Sequence, residues 1–360
     1  MRHSLRRFSS LFTLILLAGM ALSACNVPGF NTSTGSSASG NSDNMKIKLG
    51  QISKSVAYFP FYVAEQQGFF KKEGLTLDGT PSILGTGAKV AQAIEAGDLD
   101  IGGGVMSDAF NLATKDSSAR VIGALVNGYY VDITVSNSFA TQTGLTEKST
   151  LAQKVQALKG KKIGITGPGS GTSALLVYLF RQQGLDANKD ITMVNLGSTS
   201  TAALAALQSG KVDALSFFSP VGPTAVSKGI GQIFISPDTG DVPALNGDVH
   251  GAFYTKQSII DAKPKTIAAF IKGVADAEAF IQNPSDKAKA EALLATFLTL
   301  TPKAAANIYT SMLPVWSPNP TISQSAYNIS AQFHVAAGLI SAAPTYNSIV
   351  AENTISAAIK

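Results

Sequence analysis

Between residues 158 and 220 short apolar runs alternate with segments of helical period, and glycine- or serine-rich turns separate them. Residues 161–166 (KKIGIT) read as a strand, followed by the turn Gly167-Pro168-Gly169-Ser170-Gly171-Thr172-Ser173. Residues 174–183 carry apolar side chains at Leu175, Leu176, Leu179 and Phe180, the spacing of one helix face, and Gly184 stops them. A second strand over 191–196, a turn over 197–201, an Ala/Leu-rich helix and a third strand over 213–218 complete the stretch. Parallel strands need crossover segments, so this alternation predicts an α/β fold with a parallel, doubly wound sheet. Ligands on such sheets sit beyond the carboxyl ends of the strands.

The stretch has an echo upstream. AIEAGDLDI at 93–101 resembles ALQSGKVDA at 206–214 without a gap, and Leu84-Gly85-Thr86 and Leu196-Gly197-Ser198 precede the two copies with one residue of slip. Two similar βαβ units predict two similar lobes facing each other across a cleft. Residues 46–52 alternate apolar Ile47 and Leu49 with Lys46, Lys48 and Gly50 and read as a strand. Two apolar runs, 121–126 and 131–135, are joined by Asn127-Gly128-Tyr129-Tyr130, the expected hinge, and Ser236-Pro237-Asp238-Thr239-Gly240 is a turn-rich return. Beyond residue 259 helical patterns dominate, at 265–281, 286–298, 302–312 and 322–339, and are expected to pack on the first lobe.

Of the 360 residues 45% are hydrophobic and 14% charged, ordinary for an α/β globule and unlike a disordered chain. The N-terminus decides the compartment. Residues 1–7 are basic, residues 11–22 are apolar but too few for the ~20 a spanning helix needs, and Leu22-Ser23-Ala24-Cys25 follows. This is the layout of an export signal, read here as Sec rather than twin-arginine. Cys25 is the only cysteine in the chain, which fits an anchor better than a disulfide or a nucleophile. Residues 26–44 are rich in Ser, Gly, Asn and Thr and read as a flexible tether. Removing Arg2, Arg6 and Arg7 from 28 basic residues leaves 25 against 23 acidic, so a mature charge of about +2 gives no case for nucleic acid. Only Arg120 and Arg181 then remain as arginines, too few for a multi-arginine anion clamp.

Two groups of motifs carry a family resemblance. Leu22-Ser23-Ala24-Cys25 resembles the bacterial lipobox, which implies a signal peptide over 1–24, a diacylglycerol thioether on Cys25 and a protein anchored on the extracytoplasmic face of a bacterial membrane. The run Pro60-Phe61-Tyr62-Val63-Ala64-Glu65-Gln66-Gln67-Gly68-Phe69-Phe70-Lys71-Lys72-Glu73-Gly74-Leu75 resembles the substrate-binding proteins of ABC importers for nitrate, sulfonates, taurine and thiamine-pyrimidine precursors. Ala93…Gly97…Asp100-Ile101-Gly102 and LKGKKIGI at 158–165 are similar to that family too. The resemblance covers most of residues 45–220. It implies a two-lobed, Venus-flytrap fold of periplasmic-binding-protein type II, each lobe a mostly parallel sheet flanked by helices, with two chain crossings. The lobes would be 45–126 and 127–239, with 240–360 returning to the first. Implied partners are a small solute, an ABC permease and its ATPase, with the receptor working as a monomer.

Turns at strand carboxyl ends are the candidate binding elements, because helix starts there would aim N–H groups and hydroxyls into the cleft. In the first lobe these are Tyr58, Phe59, Gly85, Thr86, Ser107 and Asp108; in the second Gly169, Ser170, Gly171, Thr172 and Ser219, with Tyr129 and Phe217 as aromatic candidates. The bland alternative is that the Ser and Thr residues only cap helices. Trp316, Phe61, Phe69 and Phe70 read as core. Gly169-x-Gly171-x-x-Ala174 mimics a dinucleotide fingerprint, but the next strand ends in Val194-Asn195-Leu196 with no acid to take a ribose. His250 and His334 are the only histidines past the signal segment, and no cysteine follows Cys25, so neither metal binding nor nucleophilic catalysis is expected and no cofactor is called for. Ser219-Pro220 stands where family members that bind a ligand amine often carry Glu before the proline. The expectation is a receptor for a small organic anion of the sulfonate class. The alternative is a same-fold receptor for a neutral heteroaromatic such as a pyrimidine or flavin precursor. A surface enzyme is the remaining reading, with only Asp108 and His250 eligible as its acid/base pair.

Overall fold

The computed structural model describes residues 44–146 and 148–360, so the expected signal segment, Cys25 and the tether up to residue 43 lie outside the described residues. Strands β1 (Lys46–Ile47) and β3 (Thr76–Leu77) form a parallel ribbon. Strands β2 (Leu49–Gln51), β4 (Ser82–Ile83), β5 (Ile101–Val105), β6 (Ala119–Asn127) and β12 (Val249–Lys256) form one five-stranded sheet in the order β4-β2-β5-β12-β6. Strands β7 (Val131–Ser136), β8 (Lys162–Ile165), β9 (Thr192–Asn195), β10 (Ala214–Phe218) and β11 (Gly231–Ile235) form the second, in the order β11-β7-β10-β8-β9. The expected strand over 46–52 is broken at Lys48, whose backbone N–H turns to the carboxylate of Asp100 at 2.8 Å.

Each sheet is mixed, not mostly parallel. The βαβ part is parallel as its crossover helices require, with β4-β2-β5 in one sheet and β10-β8-β9 in the other. The remaining pairings are antiparallel and are made by the strands through which the chain changes sheet. β7 follows β6 after three residues and runs against β10 and β11, while β12 returns after β11 and runs against β5 and β6.

The sequence echo is a structural one. The helices Gly87–Ala96 and Ser200–Gln208 are followed by left-handed glycines, Gly97 and Gly210 (φ 80° and 71°), a backbone region that glycine adopts without a Cβ penalty. Asp100 and Asp213 then each accept a hydrogen bond at 2.8 Å from the N–H that opens the neighbouring strand, Lys48 in one copy and Lys162 in the other.

The long helix Pro264–Gln282 lies against Phe59–Gln66, and Lys287–Leu298 packs beside it. Phe59 sits 5.1 Å from the Trp316 ring and Phe70 stacks on Phe270 at 5.5 Å. The free edge of β6 is closed by the same segment: Asn127 and Ala124 donate to the carbonyls of Val315 and Pro320, and Ser317 donates back to Leu125. No helix among the described residues is long and apolar enough to cross a membrane.

Candidate functional site

The carboxyl ends of the parallel strands in both sheets open on one cavity of about 170 Å3. From the first sheet come Ile52 and Ser53 after β2, Tyr58, the Gly85-Thr86-Gly87-Ala88 turn after β4, and Val105, Asp108 and Asn111 after β5. From the second come residues 166–172 after β8 and Phe218 at the end of β10. The starts of the two sheet-changing strands add Tyr130, Val131 and His250. Among the described residues no Lys or Arg lines it: Arg120 bonds Gln257 and Arg181 bonds the Ala336 carbonyl.

The turn after β8 is built to present a helix start. Gly169 is left-handed (φ 73°), and Ser170 caps the helix Gly171–Gln182 by accepting the N–H of Ser173 at 3.4 Å. Thr172 Oγ1 accepts the Thr166 N–H at 3.0 Å, the Ser216 hydroxyl donates to the Thr172 carbonyl at 2.7 Å, and the Tyr129 hydroxyl donates to the Gly171 carbonyl. With caps and carbonyls so engaged, the N–H groups of Gly171 and Thr172 keep no acceptor among the described residues. Gly171 lets the turn approach closely, since a Cβ there would stand 3.1 Å from the His250 ring, which would have to give by a few tenths of an ångström.

On the opposite wall the Asp108 carboxylate folds back on its own helix start, Met106–Lys115, and accepts the Val105 N–H at 2.9 Å. It also lies against the start of the helix Gly87–Ala96, where a Cβ on Gly87 would fall 1.7 Å from Asp108 Oδ1. Burial raises Asp108 to about 7, against the pull of the Val105 N–H. The Tyr58 hydroxyl donates to the Gly103 carbonyl at 3.2 Å, and burial pushes Tyr58 and Tyr130 up, so both are neutral donors or acceptors at physiological pH. Burial drives His250 down to about 3, which leaves it a neutral ring and a weak base. Among the described residues no group of three or more His, Cys, Asp or Glu side chains stands where it could hold a metal ion.

Eight of the expected residues meet in the cavity wall: Tyr58, Gly85, Thr86, Asp108, Gly169, Ser170, Gly171 and Thr172. The structure places five elsewhere. Phe59 is fully buried against Phe297 and Trp316. Ser107 is buried with its hydroxyl unbonded and does not line the cavity. Tyr129 stands behind the Gly171 turn, against His250 and Phe333. Phe217 and Phe218 alternate on β10, and it is Phe218 that faces the cavity while Phe217 is core. Ser219 is buried and donates its N–H to the Tyr130 carbonyl. Asn111 lies one helical turn beyond Asp108, a spacing that would have found it. His250 comes from the strand that returns across the sheets, and nothing local in the sequence marks it.

Asp248, two residues before His250, is fully buried with neither oxygen hydrogen-bonded, and its nearest cation-capable group is His250 Nδ1 at 3.8 Å. Burial lifts it to about 7, the nearby Ser330 hydroxyl pulling the other way and the Asp238 charge adding to the rise. The folded state therefore holds a proton that the unfolded chain releases near pH 4, so this group's contribution to stability is lost as pH rises from about 4 to 7. Asp248→Asn is expected to gain about 1–3 kcal/mol over the wild type at pH 8 and little at pH 4. Urea melts at the two pH values read this, and equal differences at both would show that the ionised carboxylate is accommodated.

Over residues 40–295, a span containing every strand described above, the sequence matches the NMT1-like family. The "Putative binding protein YtlA" of Bacillus subtilis (strain 168) is 26% identical over 246 residues, 67% of this chain and 68% of that protein. A solved Bordetella bronchiseptica structure superposes with a TM-score of 0.74 at 23% identity, covering 88% of this chain and 97% of its own. The alkanesulfonate-binding protein SsuA of Xanthomonas axonopodis pv. citri, bound to MOPS, superposes with a TM-score of 0.64 at 19% identity, covering 87% and 97%. At these identities the superpositions establish a shared fold, while the sequence match spans well over half of the chain: the protein belongs to the NMT1-like family.

Proposed function

We propose that this protein is the solute receptor of an ABC importer, taking a small organic anion with a sulfonate-like head and handing it to a permease and its ATPase. The head would lie on the start of the helix Gly171–Gln182. The observation that carries this is the pair of unengaged N–H groups at Gly171 and Thr172, at the positive end of a 12-residue helix that opens into the cavity. The MOPS-bound alkanesulfonate-binding relative supports the solute class. In this reading residues 45–126 and 240–360 form one lobe and 127–239 the other. They would close about the links around Gly128 and between β11 and β12, the ligand shifting the population toward the closed form. Cys25 would carry the lipid anchor on the extracytoplasmic face, and the receptor would act as a monomer without catalysis.

A second reading has its own observation. Among the described residues no cationic side chain lines the cavity, and Tyr58, Tyr130 and Phe218 do, which favours a neutral heteroaromatic held by stacking and hydrogen bonds. A thermal-shift panel of alkanesulfonates, aromatic sulfonates, nitrate, pyrimidines and riboflavin separates the two. A ligand at about 100 times its Kd adds ~2.7 kcal/mol of stability, a visible shift. Stabilisation by sulfonates is expected, while a shift with the uncharged rings alone would replace the anion reading by the second.

A further inference from the structure

Asp248 and His250 meet at the start of β12 without bonding. Both carboxyl oxygens of Asp248 and Nδ1 of His250 are buried and keep no hydrogen-bond partner among the described residues. Asp248 Oδ2 lies 3.8 Å from that Nδ1, too far for a made bond and near enough for one that tightens around a ligand. The other edge of the ring faces the binding turn, with Nε2 3.3 Å from where a Cβ on Gly171 would stand. The pair therefore runs from a buried acid to the helix start that bares the N–H groups of Gly171 and Thr172. A neutral imidazole carries one N–H, and the group that bonds one nitrogen decides where that proton sits. Burial keeps Asp248 protonated and the His250 ring neutral at pH 6. An acid O–H facing Nδ1 donates to it and leaves the ring proton on Nε2. An ionised carboxylate accepts instead, draws that proton to Nδ1 and leaves a lone pair toward the turn.

The groups around the pair leave this choice to Asp248. Tyr129 and Tyr130 on the first link pack on the ring and stay neutral, burial raising both. His334 on the helix Gln324–Ala336 is neutral as well, lowered to about 4 by burial. From the same helix the Ser330 hydroxyl stands beside Asp248, and it does not titrate. Asp238, in the turn Pro237–Thr239, reaches Asp248 only through its charge, and among the described residues no Lys or Arg pairs with Asp248.

Resting on the anion reading above, we propose that Asp248 is a positioning residue: as the acid it donates to His250 Nδ1, which fixes the ring proton on Nε2 as a third N–H donor to the oxyanion head. The head then meets two donors from the backbone of the Gly171 turn and one from the strand that returns between β5 and β6. When Asp248 ionises, the ring proton moves to Nδ1 by exchange with solvent, and a lone pair replaces the third donor. His334 offers a contrast within the same chain, since its Nδ1 lies 2.6 Å from the Ser330 carbonyl and carries the proton there.

Ring 15N signals of the full chain, recorded without ligand, read the tautomers, and His250→Gln assigns them. At pH 6 His250 is expected to hold its proton on Nε2 and His334 on Nδ1. Above a pH of about 7 His250 is expected to switch to Nδ1, whereas Asp248→Asn, whose amide still donates, keeps Nε2 throughout. Calorimetric titration with propanesulfonate, whose charge is fixed over this range, reads the consequence. Wild-type affinity is expected to fall about 10-fold or more from pH 6 to pH 8.5, the order of one hydrogen bond to a charged group. Ionisation of Asp108 weakens an anion alike in every variant, so comparing the curves isolates the pair. Asp248→Asn and His250→Gln are each expected to lose most of the fall beyond that shared part. A full wild-type fall in His250→Gln would mean that Asp248 acts by its charge alone, and would overturn this inference. A proton on Nδ1 of His250 at pH 6 would overturn it too. Either result leaves the anion reading standing, whereas no sulfonate binding at any pH would remove that reading and this one with it.

Discussion

Trp316→Ala is expected to lower the free energy of unfolding by about 3–5 kcal/mol. The indole is almost fully buried, and it joins three parts of the chain distant in sequence. Its ring lies 5.1 Å from Phe59 and 5.7 Å from Tyr309, its Nε1–H donates to the Val56 carbonyl at 2.8 Å, and its backbone bridges Val126 on the edge of β6. Truncation leaves a cavity that aromatic neighbours cannot refill and leaves the Val56 carbonyl, in the turn Val56–Tyr58, with the Phe59 N–H alone. Trp316→Phe keeps most of the apolar contact and loses the hydrogen bond, so about 1–2 kcal/mol is expected there. Because that turn carries Tyr58 into the cavity, the alanine variant should also bind ligand more weakly under conditions where it remains folded. Urea unfolding with matched m-values measures the first effect, and a loss under 1 kcal/mol would show that the C-terminal segment does not brace this turn.

The physics of local pattern explains what was legible. Period-2 and period-3.6 patterning depends on neighbours in sequence, so it located the βαβ core and the helices Pro264–Gln282 and Pro302–Met312 to within a few residues. The echo at 93–101 and 206–214 proved to be the same helix, left-handed glycine and capping aspartate in both sheets. Strand order is a non-local property. Residues 249–256 look like any apolar run, and nothing in them says that they insert antiparallel between β5 and β6, which makes the sheet mixed and brings His250 into the wall. Neighbouring aromatics expose a second limit. Alternation fixes that Phe217 and Phe218 point to opposite sides, and Tyr58 and Phe59 diverge at a helix start, but the side that becomes cavity is set by the other sheet. Glycine and hydroxyl side chains fared better. A turn that must bare N–H groups after a parallel strand needs them locally, and the Gly169-Ser170-Gly171-Thr172 run sits in the wall as a unit.

Gly171→Asp is expected to weaken an oxyanion ligand by about 100- to 1,000-fold. Two like charges ~4 Å apart at an effective dielectric of ~20 repel by about 4 kcal/mol, and each 1.4 kcal/mol is tenfold in affinity. The backbone at 171 is not in the left-handed region, so an L-residue is tolerated there, but the fit is tight. A new Cβ would stand 3.1 Å from His250 Cε1 and 3.5 Å from the Tyr129 hydroxyl, so His250 must give by a few tenths of an ångström. Some stability is therefore lost together with affinity, partly offset because an acid in the first turn suits the helix dipole. Gly171→Asn separates the two effects, being the same size without the charge. For a sulfonate-like ligand Asp should bind at least 10-fold more weakly than Asn, whereas for a neutral ring the two variants should lose alike through crowding alone. Titration of both variants, each first shown folded by its melting curve, reads the ligand's charge at this turn directly. Wild-type affinity in Gly171→Asp would take the turn out of the site, because no anion held by the N–H groups of Gly171 and Thr172 could ignore a carboxylate on the residue that carries one of them.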